Sequence, residues 1–217
     1  MERVAPEAGS ARREQRRVEH QDLSRAQLLD AAEEVFGRKG FYATTLKEVA
    51  ELAGFSVGSV YSFFESKDDL LAKVYERRGR EFMPRLREIL VADDDPIAQL
   101  HELVTFQVEF FRIHPSFGRL YLFQSGHLIG TDGNPPFDAE IIANFDEAMA
   151  LQTSLFERGQ QAGTIRPGDP AVLSRLFSGL MAAYQQTDAR VLSGDPSVPE
   201  RLATAELQEL ITKAFGP

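Results

Sequence analysis

The clearest indication of fold in this sequence comes from residues 53–70, which read AGFSVGSVYSFFESKDDL. Gly54 marks a turn, and a short helix is expected to start near Ser56 after it. That helix would place Val60 and Phe64 on one face, because residues four apart lie above one another on a helix. Its first residues are small or polar, so the outer face carries little bulk. The pattern predicts a short helix with a buried side and a slender exposed side.

Signatures of helix starts recur along the chain. In a capping box, a Ser or Thr side chain accepts a bond from an unpaired backbone N–H, and an acid or amide three residues later reaches back. Four such pairs precede apolar periodic runs: Ser24 and Gln27, Thr45 and Glu48, Ser66 and Asp69, and Ser197 and Glu200. Two further starts join an acid to a proline, at Asp95-Pro96 and Asp169-Pro170. No run of alternating β-branched residues occurs, so the sequence predicts an all-α fold.

About nine helices are expected. The first four cover about 25–38, 46–52, 56–64 and 66–90, and Pro84 should kink or divide the last of them. The second and third would form a helix-turn-helix. The later helices are expected near 96–114, 116–128, 137–161, 170–193 and 199–215, with a loop at 130–136.

Composition narrows the possible functions. The 217 residues include no cysteine, which excludes disulfides, thiolate catalysis and cysteine-bound metals. We find no apolar run long enough for a membrane span and no signal peptide, so the cytoplasm is the expected compartment. Residues 1–80 contain 14 basic and 14 acidic side chains, and the whole net charge of −9 therefore lies in residues 81–217. This asymmetry predicts two different tasks in one chain.

The stretch at 53–70 resembles the recognition-helix signature of TetR-family transcriptional regulators. The upstream residues GFYATT at 40–45 and Val49-Ala50 match the same family's first two helices. The close resemblance covers about residues 24–72, and the remainder agrees only in the number and length of its helices. It implies a homodimer with no cofactor, in which residues 23–70 bind DNA and residues 71–217 bind a ligand and dimerise. Residues 1–22 would be a flexible charged extension.

Site residues follow from the resemblance by position. Tyr61, Lys67 and Thr45 would hold DNA phosphates, and Lys47 would reach a phosphate or a base edge. The major groove would be faced by Val57, Gly58, Ser59, Ser62 and Phe63. Position 57 is often basic in the family and position 62 often a larger polar residue. Because valine can touch a thymine methyl but cannot donate to guanine, we expect an A·T step under Val57.

The later helices are rich in phenylalanine, which indicates either core packing or an apolar ligand pocket. The candidate ligand-binding residues are Phe106, Gln107, Phe110, Tyr121, Gln124 and Phe145. The family resemblance implies that a small hydrophobic effector releases a repressor dimer from a palindromic operator. Two apolar stripes would form the dimer seam, although both could instead be buried within one subunit: Leu173, Leu176, Phe177, Leu180 and Tyr184, and Leu207, Leu210, Ile211 and Ala214.

Three alternatives stay open at this point. A helical enzyme with a di-iron site would need Glu-x-x-His pairs, and none occurs. A DNA-binding protein with a filled core would respond to no ligand. The arginines at 12, 13, 16 and 17 could form a DNA-binding arm or belong to a solvated tail, with Glu14 and Glu19 diluting their charge. We expect no metal and no membrane partner.

Overall fold

The computed structural model describes the backbone of residues 7–128 and 139–217, and the side chains of residues 11–123 and 139–217. The described residues form ten α-helices and no strand. The first six are α1 (Glu7–Lys39), α2 (Leu46–Ala53), α3 (Val57–Phe63), α4 (Lys67–Val91), α5 (Pro96–Ile113) and α6 (Pro115–Leu128). The others are α7 (Ala139–Ala162), α8 (Pro170–Gln185), α9 (Ala189–Ser193) and α10 (Thr204–Phe215). The all-α prediction is confirmed, and the loop expected at 130–136 lies outside the described residues.

The start of the first helix differs from the prediction. α1 begins at Glu7, so the described part of the expected flexible extension is helical, and residues 11–23 are all exposed. Ser24 caps nothing, because its hydroxyl donates to the carbonyl of His20 within the helix at 2.9 Å. An ion pair between Arg17 and Glu14 at 2.6 Å supports the exposed turns.

Two predictions near the C-terminus are also wrong. The helix expected over 170–193 is interrupted, because Asp188 caps α9 and its carboxylate accepts from Arg112 at 2.8 Å. The capping box at Ser197 and Glu200 does not form, since Glu200 instead pairs with Arg190 at 2.7 Å. α10 starts later, where Glu206 accepts from the backbone N–H of residue 203 at 2.8 Å. Pro84 does not divide α4, because it lies inside one helix that runs from Lys67 to Val91.

Two apolar clusters hold the helices together. The first joins α1–α4 to residues of α5 and α6, including Phe110, Phe111, Phe117 and Leu120. The second fills the space among α4, α5, α7, α8 and α10. Because the first cluster includes residues of α5 and α6 and α4 contributes to both clusters, the N-terminal helices pack directly against the later ones. No described helix is long and apolar enough to cross a membrane.

Candidate functional site

The turn between α2 and α3 is fixed by local hydrogen bonds. Thr45 caps α2, and its backbone N–H donates to Glu48 at 2.9 Å, which completes the predicted capping box. Gly54 ends the helix with a φ of +75°, a conformation that favours glycine. The N–H of Phe55 then donates to the carbonyl of Ala50 at 2.8 Å. This geometry sets the angle at which α3 leaves the turn.

The buried side of α3 anchors the helix and leaves its other side free. Ser56 caps α3 by accepting from the N–H of Ser59 at 3.0 Å. Val60 and Phe64 are buried, as predicted, and Arg25 of α1 lies over the Phe64 ring, 5.0 Å from its centroid. The helix is therefore held by its inner face alone, and its outer face is available for a partner.

The predicted groove-facing residues divide into two groups. Gly58 and Ser62 are exposed, and Tyr61 is 58% exposed. Ser59 is half-buried, and Val57 and Phe63 are half-buried with part of their surface against the core. The structure thus places all of these predicted residues on or beside the exposed face of α3.

Gly58 is not required by the fold. A Cβ built there would meet only the Ser56 hydroxyl oxygen, at 3.7 Å, which is an ordinary van der Waals contact. Its φ is not in the left-handed region. Alanine would also favour the helix by about 1 kcal/mol. The absence of a side chain at Gly58 instead makes the outer face of α3 flatter. A flatter face allows another surface to approach the helix closely.

The predicted phosphate-binding residues differ in their freedom. Lys47 is well exposed and lies 3.7 Å from Glu51. Lys67 is half-buried, and its Nζ donates to the backbone carbonyls of Phe41 and Thr44 at 3.0 and 2.9 Å. Because an ammonium group has three N–H donors, one remains for an outside acceptor. Lys67 therefore stabilises the segment before α2 through these two hydrogen bonds. It also places a positive charge near the surface.

An ion pair ties the end of α1 to the start of α2. Lys39 donates to Glu48, which also accepts from the backbone and hydroxyl of Thr45. The hydrogen bond from Lys39, followed by those from Thr45, lowers the pKa of Glu48 from its usual 4.5 to about 2. The carboxylate is therefore charged across the physiological range, and it helps to fix the turn that carries α3.

A second candidate site is a cavity of about 180 Å³ enclosed mainly by α4, α5, α7 and α8. Of the predicted ligand-binding residues, Gln107, Tyr121 and Phe145 lie in its wall. Phe106 and Phe110 do not, because their rings pack against Phe82 at 4.9 and 5.0 Å in the core behind it. The side chain of Gln124 lies outside the described residues.

Sequence reasoning missed most of the polar wall of this cavity. Arg78 on α4, Asn144 and Gln152 on α7, and Gln185 on α8 all line it. On α4, the wall residues Tyr75, Gly79, Phe82, Met83 and Leu86 recur at helical spacing. That spacing could have identified α4 as a wall of the cavity as well as the helix that connects α3 to α5.

The two predicted apolar stripes on α8 and α10 are each divided lengthwise. Leu173, Phe177 and Tyr184 of α8, and Leu207 and Ile211 of α10, are buried within the chain. The outer rows remain exposed: Leu176 and Leu180 on α8 are 55% and 42% exposed, and Leu210 on α10 is 49% exposed. The inner rows therefore belong to the chain's own core, contrary to the expectation that whole stripes would form the seam. In the described part of the chain, no group of three or more His, Asp or Glu residues could hold a metal ion.

Comparisons with known proteins agree with these features. A family model described as "Bacterial regulatory proteins, tetR family" matches residues 28–74. The HTH-type transcriptional regulator YfiR of Bacillus subtilis strain 168 is 47% identical over 58 residues, which is 27% of this chain and 28% of that protein. The HTH-type transcriptional repressor KstR2 of Rhodococcus jostii strain RHA1 is 29% identical over 142 residues, 65% of this chain and 68% of that one.

Solved structures extend the likeness along the chain. The ketosteroid transcriptional regulator KstR2 of Mycobacterium tuberculosis superposes with a TM-score of 0.72 at 20% sequence identity. The superposition covers 89% of this chain and 95% of that one. At this identity the likeness concerns the fold alone. The match to YfiR spans less than a third of that protein's length, whereas the family model matches residues 28–74, which include the predicted helix-turn-helix.

Proposed function

We propose that this chain is a ligand-responsive repressor of the TetR family of bacterial regulatory proteins, a DNA-binding transcriptional regulator rather than an enzyme. In this proposal two subunits bind a palindromic operator, each through α3. A small apolar effector in the cavity beside α4 releases the dimer from DNA.

The single observation that carries the DNA-binding assignment is the exposed face of α3. Gly58, Tyr61 and Ser62 lie outward on a helix that Val60 and Phe64 anchor from behind. The major groove is about 12 Å wide, so a helix with a slender outer face can approach the base edges. Thr45, Lys47 and Lys67 would bind phosphates on either side, and Val57, Ser59 and Phe63 would complete the groove-facing set.

We propose that the outer rows of α8 and α10 form the dimer seam. Leu176, Leu180 and Leu210 are large apolar side chains that a monomer would leave in water. Pairing two helices from each subunit would bury them in a four-helix arrangement. A palindromic operator needs two readers spaced about 34–36 Å apart, which such a dimer would supply.

The cavity supports the ligand-responsive part of the proposal. α4 starts directly after the DNA-binding helices and supplies wall residues from Tyr75 to Leu86. A ligand that favours one tilt of α4 would change the spacing of the two α3 helices. Only a difference in its affinity for the two arrangements can do this, and typical coupling free energies are about 1–3 kcal/mol. A filled-core protein without such a response is the second candidate, and the presence of a cavity argues against it.

Footprinting of the DNA next to the protein's own coding region tests this proposal. We expect a protected segment with two symmetry-related half-sites, and weaker protection in the presence of an apolar effector. Protection of a single unsymmetrical site would contradict the dimer. Protection that no apolar compound alters would contradict the ligand response but not the binding of DNA.

A further inference from the structure

Among the described residues, Arg78 is the one permanently charged side chain in the wall of the cavity. Its guanidinium group already forms ion pairs with two carboxylates. Arg78 donates from Nε and Nη2 to Glu33 of α1, at 2.9 and 3.1 Å. Its Nη1 donates to both carboxylate oxygens of Glu81, at 2.9 and 3.0 Å. Burial lowers the pKa of Arg78, but its bonds to Glu33 and the charges of both carboxylates raise that pKa above its usual value overall. The guanidinium therefore stays charged, and the two neighbouring carboxylates compensate that charge.

Glu33 holds this arginine because it is itself shielded from water. Its side chain is 5% exposed, and it also accepts from Arg77 at 2.8 Å. A carboxylate ligand that bound Arg78 would weaken the ion pair between Arg78 and Glu33. The negative charge of Glu33 would then be buried with one fewer positive partner, and breaking a buried ion pair in this way is strongly destabilising. An anionic ligand would thus compete with a pair that the protein already needs.

The other polar groups of the wall are neutral. Gln107, Asn144 and Gln185 line the cavity with neutral side-chain amides. Burial raises the pKa of Tyr121, so its hydroxyl keeps its proton. Each amide offers both a donor and an acceptor, which suits an uncharged polar group on a ligand.

Arg78 is the one permanently charged side chain that the described residues place in the cavity wall. Among those residues, a carboxylate would therefore meet no permanent positive charge that lacks a carboxylate partner. Burying an unpaired carboxylate is far more costly than burying a neutral group that finds hydrogen bonds.

We propose that the effector, or the portion of it that enters this cavity, is uncharged: a compact apolar body carrying a ketone, ester, amide or alcohol. Glu33 and Glu81 act as specificity determinants by keeping Arg78 from binding a carboxylate. The cavity volume of about 180 Å³ is somewhat larger than the roughly 150 Å³ that holds benzene, so the enclosed portion is small. The inference rests on the proposed function only in taking this cavity as the effector site.

Two matched pairs of probes test this proposal on the full-length protein: octanamide with octanoate, and benzamide with benzoate. Within each pair the shape is nearly constant and the charge changes. We expect calorimetric titration at neutral pH to show each amide binding about tenfold or more tightly than its carboxylate. Ala148→Phe, which fills the cavity wall, should abolish binding of the amides while circular dichroism shows an unchanged fold.

Glu81→Gln gives a gain-of-binding test, because it removes the negative charge paired with Nη1 of Arg78, at a residue whose side chain is partly exposed. We expect this variant to bind octanoate more tightly than the wild type, with its affinity for octanamide unchanged. Glu209→Gln is the matched control, since it removes the same charge from an exposed position on α10. It should behave as the wild type.

The proposal is overturned if either carboxylate binds the wild type as tightly as its amide, if Glu81→Gln and Glu209→Gln behave alike, or if neither amide binds at millimolar concentration. Binding of operator DNA is measured separately without probes. Failure to bind DNA would contradict the proposed function while leaving the preference for amides unaffected.

Discussion

A Cβ atom built on Gly37 would lie 2.2 Å from the carbonyl oxygen of Ser116, so the backbones of α1 and α6 are in direct contact at this crossing. Arg119 reinforces the contact by donating from Nε to the carbonyl of Gly37 at 3.2 Å and from Nη1 to that of Val191 at 2.8 Å. The end of α1 is thereby fixed to α6 and α9.

Replacement of Gly37 by alanine should loosen this crossing. The new methyl group would overlap backbone atoms of Ser116, which cannot rotate away as a side chain could, and overpacking of this kind costs about 2 kcal/mol. Thermal unfolding followed by circular dichroism measures the effect.

Gly79→Ala is the matched control, since a Cβ at that helical position meets only the Asn144 amide nitrogen, at 3.7 Å. The control should melt at the wild-type temperature or above it. Equal melting temperatures for the two variants would mean that the close contact between α1 and α6 is not needed for stability.

Replacement of Gly58 by alanine should separate DNA binding from folding. The fold has room for the methyl group and gains helix propensity, so the melting temperature should stay the same or rise. Affinity for the operator, measured by fluorescence anisotropy, should fall because the methyl group lies on the face presented to the groove. Undiminished affinity would show that Gly58 does not approach the DNA, and Gly79→Ala again serves as the control.

The arginines of the exposed start of α1 should contribute to the salt dependence of DNA binding. On a helix, the pairs 12 and 16, and 13 and 17, lie on neighbouring rows of one face. Changing all four to glutamine should lower the slope of log affinity against log salt concentration by about 0.9 for each DNA phosphate that an arginine no longer neutralises.

Stability should not change with these substitutions, because residues 11–23 are exposed and leave the core intact. Arg201→Gln, at an exposed position in the C-terminal part of the chain, provides the control and should keep the wild-type slope. A quadruple variant with that same slope would identify the start of α1 as a solvated helix without a role in binding.

The ion pair of Lys39 and Glu48 should make the turn before α3 sensitive to acid. The pKa of Glu48 is about 2 in the folded protein and 4.5 in its usual environment. Its stabilising contribution is therefore complete above pH 4.5 and is lost as the pH falls towards 2.

We expect the melting temperatures of the wild type and Glu48→Gln to differ at neutral pH and to converge over that acidic range. The pKa itself can be followed by the carboxyl carbon resonance in an NMR titration. A midpoint for Glu48 near 4.5 would contradict the geometry of the pair.

Four of the six helix starts predicted from the sequence are present in the structure. Thr45 with Glu48, Ser66, Asp95 and Asp169 all cap helices in the structure. Two other predicted caps do not form, because their side chains make different contacts in the structure. Ser24 lies within α1, and Glu200 is drawn to Arg112 and Arg190.

The recognition surface was more predictable than the cavity for a related reason. Periodicity within one short helix predicts that Val60 is buried, and the family resemblance implies that Tyr61 lies outward. The cavity depends on which helices meet, and periodicity does not supply that information. Phe106 and Gln107 are adjacent on α5, yet only Gln107 reaches the wall, while Asn144 and Gln185 come from helices that packing alone brings together.

Selection of binding sites from random duplex DNA, carried out in parallel with the wild type and Val57→Arg, tests most directly whether α3 reads DNA sequence. We predict that the wild type enriches a palindrome, and that one position in each half-site changes from an A·T pair to guanine when valine becomes arginine, since arginine bonds to the guanine edge. Enrichment of the same sequence by both proteins, or of none by the wild type, would contradict the assignment of α3 as the recognition helix.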